Sequence, residues 1–523
     1  MTEAALTSYE DVPYTSKPLY PTHPDCLATM ATLVGMSPAP VERCRVLELG
    51  CAAGGNIIPM AISLPDSQFV GIDLSPRQVA VGQETVAALS LTNIDLRPFD
   101  ILNFDDSFGQ FDYIICHGVY SWVPPVVQDK ILEICKRHLT AHGVAYVSYN
   151  TYPGWHARGM AREMLNFHAK QFSDPQVRVK QARAFLAFLI QSAAAPEAPY
   201  ARILKEEAEL LGDRADYYLF HEHLEEVNEP IYFHQFAERI AGRGLQYLGE
   251  AWFRSSLHRF PQEVQQTLKQ ISSSLINLEQ YLDFLNNRTF RRTLICHDDL
   301  TLSRSPSFST LSNLYVTAMA QPVSASPDLS EEAVEAFRND DGARVTTNTP
   351  SVKAALVALY EVWPSAVAFN DLWAQVCTRL GHHPEADALV AGGPTLLAES
   401  LLQCYLSEMV AFQLRPWGFV GTPGERPAVN ALARHQASRG EPVTNLRHRL
   451  ILLEPFDIQL LPYLDGTRDR QALRADLKSA IADGNLKTDD AAAVDSPDAG
   501  PFDLDQALTA SLQRLAKNAL LVQ

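Results

Sequence analysis

The sequence has little of what would tie a protein to a bilayer, a nucleic acid or an oxidising compartment. No run of about 18 apolar residues occurs, so a membrane-spanning helix is not expected. The first eleven residues are polar and acidic, without a basic segment followed by an apolar one, so no secretory signal is expected. Cysteine is sparse. The eight cysteines (Cys26, Cys44, Cys51, Cys116, Cys135, Cys296, Cys377, Cys404) stand singly, with no CxxC pair, as expected of free thiols in a reducing cytoplasm. Positive charge is in deficit: 43 Lys and Arg against 61 Asp and Glu leave a net charge of −18. Such a surface argues against sequence-independent binding to DNA or RNA, although a local basic groove stays open. No strict repeat is present. What is there is ordinary globular composition, 46% hydrophobic and 20% charged, over 523 residues, enough for several domains of about 150 residues each.

Along the chain, residues 1–40 read as a Tyr- and Pro-containing arm followed by a short helix over 24–35. From residue 44 to 156, short apolar strands alternate with helices. Strands are predicted over 44–49, 68–73, 93–97, 111–116 and 143–149, with helices over 76–89 and 127–139. That alternation marks a parallel sheet covered on both faces. Residues 157–230 read as a helical insertion. Two later strands, 245–248 and 289–296, are expected to complete the same sheet within a segment 231–300. Residues 301–350 read as a linker with a hairpin around Asp340-Asp341-Gly342. A winged-helix-like piece spans 351–417, a linker 418–442, and a second winged-helix-like piece 443–523, with a Gly-, Asp- and Ala-rich loop over 483–500 expected to be mobile.

The most informative segment is Val46-Leu47-Glu48-Leu49-Gly50-Cys51-Ala52-Ala53-Gly54-Gly55-Asn56, a strand that ends in a glycine turn. Glycines there let the backbone approach a ligand and aim N–H groups at it. A dinucleotide fingerprint nearly fits, at Gly50, Ala52 and Gly55. Three acids narrow the reading. Glu48 sits at the end of the first strand and Asp73 at the end of the second, where a carboxylate accepts from ribose hydroxyls. Asp100 follows the third strand, where it can accept from an adenine amine. Acids at three successive strand ends suit adenosine joined to a short zwitterion; a dinucleotide leaves Asp100 unexplained.

The segment resembles motif I of class I S-adenosylmethionine-dependent methyltransferases, with Glu48, Gly50, Ala52 and Gly54 at its key positions and Ala52 where the family usually has glycine. The segments Tyr20-Pro21-Thr22-His23-Pro24, Gly118-Val119-Tyr120-Ser121-Trp122-Val123-Pro124, Ser148 to His156, Asn228 to His234 and Phe290 to Leu294 resemble a bacterial group with an added methyltransferase regulatory region. That group includes the rickettsial outer-membrane-protein lysine methyltransferases. The resemblance implies an α/β fold: a Rossmann-like, seven-stranded class I core with a helical insertion and C-terminal winged-helix-like domains. It implies S-adenosylmethionine as cofactor, held by Tyr20, Glu48, Gly50, Cys51, Ala52, Asn56, Asp73, Leu74, Asp100, Ile101 and His117. Tyr14 is expected to fold over the cofactor with Tyr20. The acceptor side is expected at Tyr120, Trp122, Asn150 and Trp155, where with Tyr149 and Tyr152 an aromatic cage would tolerate an amine.

The implied activity is methyl transfer to a protein side chain, lysine Nε, with the C-terminal modules presenting a polypeptide. The alternatives are a small-molecule methyltransferase of a biosynthetic pathway and a non-enzymatic regulator that senses the cofactor. The helices over 395–404 and 469–482 carry too few basic residues for a DNA-reading helix, and Tyr463 to Arg468 resembles winged helices of small peptide chaperones. Polypeptide recognition or self-association as a homodimer is therefore preferred to nucleic acid. His221-Glu222-His223 with Glu225, Glu226 and His234 invites a metal reading but lacks HExxH spacing, and amine methylation needs no metal. No metal is expected, and Glu222 or His223 is considered instead for the acceptor channel. Cys51 is read as a packing residue.

Overall fold

Seven strands of the first part of the chain pair into one sheet: β1 (Arg45–Leu49), β2 (Gln68–Asp73), β3 (Ile94–Pro98), β4 (Phe111–Cys116), β5 (Leu139–Asn150), β6 (Leu245–Glu250) and β7 (Phe290–His297). The structure is a computed structural model that describes residues 12, 15–193, 195, 198–212, 214–251, 257–381, 393–484, 486 and 503–522. It divides into two compact units, one of Met1–Lys17, Ser37–Ile58 and Asp66–Thr301, the other of Pro18–Met36, Pro59–Pro65 and Leu302–Gln523.

In the first unit the strand order is β3-β2-β1-β4-β5-β7-β6. Strands β1 to β5 run parallel, and β7 lies antiparallel between β5 and β6. The central strands are continuous apolar runs because both faces are covered: Leu47, Leu49, Ile114, Cys116 and Val147 are all buried in the main core. The helices Pro76–Ala88, Pro125–His138 and Phe233–Ala241 belong to this unit. Ser75 starts the first of them, its hydroxyl accepting from the Gln78 N–H. The seven-stranded Rossmann-like α/β core is the one expected from the sequence.

Register brings the strand ends together. Leu49 pairs with Ile72 on one side and Cys116 on the other, so the turn beginning at Gly50 comes level with Asp73 and His117. The strand order reverses between β1 and β4. A sheet of this kind opens a crevice at the carboxyl ends of its strands where the order reverses.

Between β5 and β6 the chain makes helices Trp155–Ala169, Pro175–Gln191 and Pro199–Leu211, then a short helix Asp216–Leu219 running into a π-helical turn, Phe220–Leu224. Leu165, Leu186, Leu204 and Phe220 give this insertion its own core. The last two strands are tied in by ions. Arg291, fully buried, donates to Glu250 at 2.8 Å, to Asp283 at 2.9 Å and to Glu279 at 3.1 Å, while its guanidinium lies 3.7 Å above the Phe233 ring. Arg288 adds a second donor to Glu250 at 2.6 Å.

The second unit holds two smaller cores. In one, Tyr315–Thr317 is the middle strand between Val367–Ala368 and Ala411–Gln413, with helices Pro350–Glu361, Phe369–Leu380 and Gly393–Leu406. The segment expected as a linker therefore supplies a central strand, and also the hairpin Glu335–Arg338 with Arg344–Thr347, turning at Gly342. The other core corrects a boundary. Residues 418–442 are not a linker: Ala428–Val429 pairs with Leu521–Val522, and the helix Ala431–Ser438 buries Leu432, Ala433 and Ala437. Asn430 caps that helix by accepting from the Ala433 N–H at 2.8 Å, a start signal hidden among Pro, Gly and Arg. The loop expected over 483–500 lies outside the described residues apart from 483, 484 and 486. No helix among the described residues is long and apolar enough to cross a membrane.

Candidate active site

The turn after β1 is built by backbone bonds. The N–H groups of Gly50 and Cys51 both donate to the Ile72 carbonyl, at 2.8 and 3.0 Å. Gly50 has φ +75°, and a Cβ there would meet Val119 Cγ2 at 2.4 Å, so only glycine lets the chain pass. Ala52 takes φ +49°, held by its N–H donating to Asp73 Oδ2 at 2.8 Å. Cys51 is buried, and burial raises its thiol well above the ordinary range, as packing rather than nucleophilic chemistry requires.

Each acid has a distinct setting. Glu48 is only 4% exposed; Asn56 Nδ2 donates to its Oε1 at 2.7 Å, and its Oε2 has no partner. Burial pushes this carboxyl up to about 8, with the Asn56 bond opposing and Asp73 adding to the rise. Asp73 is half-buried and ties two loops together, Oδ2 accepting from Ala52 and Oδ1 from the Ser75 N–H at 2.9 Å. Asp73 stands opposite Pro98 in register, and Asp100 comes two residues later, capping the turn Ile101–Asn103 through Leu102 N–H at 2.9 Å. Leu74 beside it is 48% exposed, and Ile101 is half-buried.

At the end of β4, His117 Nδ1 lies 3.0 Å from the Tyr146 hydroxyl and 3.2 Å from Ser148 Oγ, which also accepts from the Gly118 N–H at 2.9 Å. Burial first, then Arg292 and Lys17, push this imidazole down to about 3, so it is neutral at physiological pH. The tryptophans after β4 and β5 pair with each other. Trp122 is half-buried and meets Trp155 edge to face at 6.2 Å. Trp155 is 1% exposed, carries an indole N–H without a partner, and lies under the Arg158 guanidinium at 4.8 Å. Asn150 is a brace: its backbone N–H donates to Ser121 Oγ and its Nδ2 to Asn228 Oδ1, both at 2.9 Å.

Known proteins match the chain from one end to the other. Residues 47–145 match the model of a methyltransferase domain, 215–297 that of a predicted methyltransferase regulatory domain, and 425–520 that of the PKMT C-terminal winged helix domain. An uncharacterized protein of Rickettsia prowazekii is 35% identical over 531 residues, covering 100% of this chain and 95% of its own. PKMT2 from Rickettsia typhi, solved in complex with AdoHcy, is 31% identical with a TM-score of 0.84, covering 98% of this chain and 100% of its own. A second structure of PKMT2 gives a TM-score of 0.85 at 30% identity. The chain belongs to the same methyltransferase family as PKMT2.

Two of the aromatic residues expected around an acceptor, Tyr120 and Tyr149, lie in the main hydrophobic core. Tyr120 has no exposed surface; it meets Phe236 at 5.4 Å, and its hydroxyl accepts from Arg239 at 3.3 Å. Tyr149 stacks on the same Phe236 at 4.3 Å and bonds Thr293 at 3.0 Å. Both are core residues, since alternation along β5 turns Tyr149 away from the face that Ser148 and Asn150 share. Tyr152 is half-buried and stacks on His156 at 4.2 Å. Tyr20 belongs to the second unit, 6.0 Å from Trp417 and beneath Arg449 at 5.0 Å. Tyr14 lies outside the described residues. The histidines of the insertion pair with carboxylates instead of converging: His223 Nε2 with Glu207 and His221 Nδ1 with Glu225, each at 2.7 Å. Reading the sequence alone misses Tyr146 and Ser148, which hold His117, although their alternation on β5 toward the end of β4 is a usable signal.

Proposed function

We propose that this methyltransferase takes S-adenosylmethionine as cofactor and lysine Nε of a protein as acceptor. The observation that carries the proposal is the end-to-end likeness to PKMT2, which extends past the methyltransferase domain to the regulatory region and the winged helix. The crevice suits the cofactor. The partnerless Glu48 Oε2 would meet its ammonium, Asp73 its ribose hydroxyls, and Asp100 its adenine amine, with Leu74 and Ile101 on either side of the base. Gly50, Cys51, Ala52 and Asn56 shape the turn that faces its methionine end.

When bound, the cofactor supplies a methyl group on a sulfonium, an electrophile that needs alignment more than acid or base help. The residues of the chain have the acceptor to prepare. A lysine amine with a pKa near 10.4 costs about 4–5 kcal/mol to deprotonate at pH 7. Desolvation against Trp122 lowers that cost, because burial disfavours the charged amine. The same ring face favours the methylated cation by roughly 0.5–2 kcal/mol. Neutral His117 keeps a further positive charge out of the crevice. Asn150 holds the loop after β4 against the regulatory region and so sets the position of Trp122.

The test is incubation of purified protein and methyl-labelled S-adenosylmethionine with lysate of its host, separated into protein and small-molecule fractions. Label on lysine in protein bands supports the reading. Label confined to small molecules, or binding without turnover in either fraction, defeats it.

A further inference from the structure

The stretch ahead of the sheet makes two contacts that no motif in the sequence announces. Ser16 Oγ accepts from the Gly55 N–H at 2.7 Å, and a Cβ on Gly55 would lie 2.6 Å from the Ser16 backbone. Four residues earlier, the Val12 carbonyl accepts from His221 Nε2 at 2.7 Å, and the Val12 side chain packs on the core of the helical insertion. The carbonyl can only accept, so His221 carries a proton on Nε2. Glu225 Oε1, 2.7 Å from Nδ1, fixes the ring's orientation. Val12 is thus held at the insertion, and Ser16 at the glycine turn after β1. Lys17, next after Ser16, has an exposed side chain, and its positive charge adds to the burial and the Arg292 charge that hold the His117 imidazole down.

The proposed cofactor ends in a zwitterion, and Glu48 answers only its ammonium. A crevice that already holds Glu48 and Asp73, in a chain of net charge −18, repels the carboxylate unless a cation stands opposite. Arg292 and Lys17 both act on the charge of His117 at the end of β4, and the guanidinium of Arg292 lies 5.2 Å over Phe290. We propose that Lys17 is the counter-ion of the cofactor's carboxylate, and that His221, through Val12, is the positioning residue that holds it there. The inference rests on the cofactor assignment above and adds to it a ligand outside the strand ends. It also gives the His221 and Glu225 pair a role that needs no metal.

Calorimetric titration with two probes tests it: AdoHcy, which carries the amino-acid end, and methylthioadenosine, which lacks it. Lys17→Ala is expected to weaken AdoHcy about tenfold and to leave methylthioadenosine within about twofold, while Lys17→Arg keeps most of the AdoHcy affinity. His221→Ala is expected to weaken AdoHcy likewise and to speed amide exchange at Ser16 and Lys17 in the ligand-free protein. Lys17→Ala binding AdoHcy as the unaltered protein does, or losing both probes equally, overturns the proposal. If the unaltered protein binds neither probe, the cofactor assignment itself falls, which is a separate outcome.

Discussion

Replacing Glu48 with glutamine separates the demands of folding from those of binding. The carboxyl is ordinarily near 4.5 and burial lifts it to about 8 in the ligand-free fold. A group raised in this way contributes stability that is complete below about pH 4.5 and is lost as pH climbs through about 8. At about 1.4 kcal/mol per unit, the ligand-free protein forgoes roughly 3–5 kcal/mol at pH 8 to keep this acid buried. Glutamine removes the charge and keeps the oxygen that Asn56 bonds, but it sets an unpaired N–H where Oε2 stood. The expected gain is therefore about 1–3 kcal/mol, or a Tm about 2–6 °C higher at pH 8 for a unit of this size. At pH 5 the buried acid costs under about 1 kcal/mol, so the unpaired N–H should leave the variant level with the unaltered protein or below it. AdoHcy binding should move the other way and fall about 10- to 100-fold at pH 8, because the ammonium loses an ionised partner. Thermal melts at pH 5 and pH 8, with and without AdoHcy, read both effects. A variant that melts below the unaltered protein at pH 8, or binds AdoHcy equally well there, would refute this account of the crevice.

Three further substitutions probe other parts of the argument. Gly50→Ala forces a side chain into Val119 at a left-handed φ, and is expected to weaken AdoHcy at least about tenfold in a titration. Arg291→Ala strands the buried carboxylates of Glu250 and Asp283, and should cost about 3–5 kcal/mol in chemical denaturation at pH 7. Tyr120→Phe removes one 3.3 Å bond from Arg239 and nothing from the crevice, so methylation rates should stay within about twofold. A hundredfold loss would return Tyr120 to the acceptor site.

The sequence is most readable where a local rule acts alone. Gln68–Asp73 and Phe111–Cys116 have the bounds expected of them because a buried parallel strand is a short apolar run with a turn behind it. Glu48, Asp73 and Asp100 stand out for a related reason, since an acid at the end of such a run is costly and demands a purpose. Legibility fails where partners are distant in the chain. Proximity to the sheet edge groups Tyr120 with Trp122, yet Phe236, more than a hundred residues on, decides that Tyr120 faces inward. His221 and His223 suggest a common ligand until Glu225 and Glu207 claim one each. Ser16 and Val12 carry no signal, because a hydroxyl and a carbonyl near the start of a chain look like any others. In the second unit, proline and glycine outweigh the apolar spacing of Leu432, Ala433 and Ala437 and conceal a helix.

The placement of β7 has a consequence for biosynthesis. This strand fits between β5 and β6, yet it is the last of the seven to leave the ribosome, 140 residues after β5 ends at Asn150. Until it arrives, β5 presents a bare, apolar edge and β6 has no neighbour in the sheet, the state in which nascent chains pair wrongly or recruit chaperones. The charged residues Arg288 and Arg291 that flank and enter β7 reduce its own tendency to aggregate while it waits, and once inserted they are neutralised by Glu250 and Asp283. Translation that halts before residue 290 would therefore yield a chain with its nucleotide-facing half formed and its far border open.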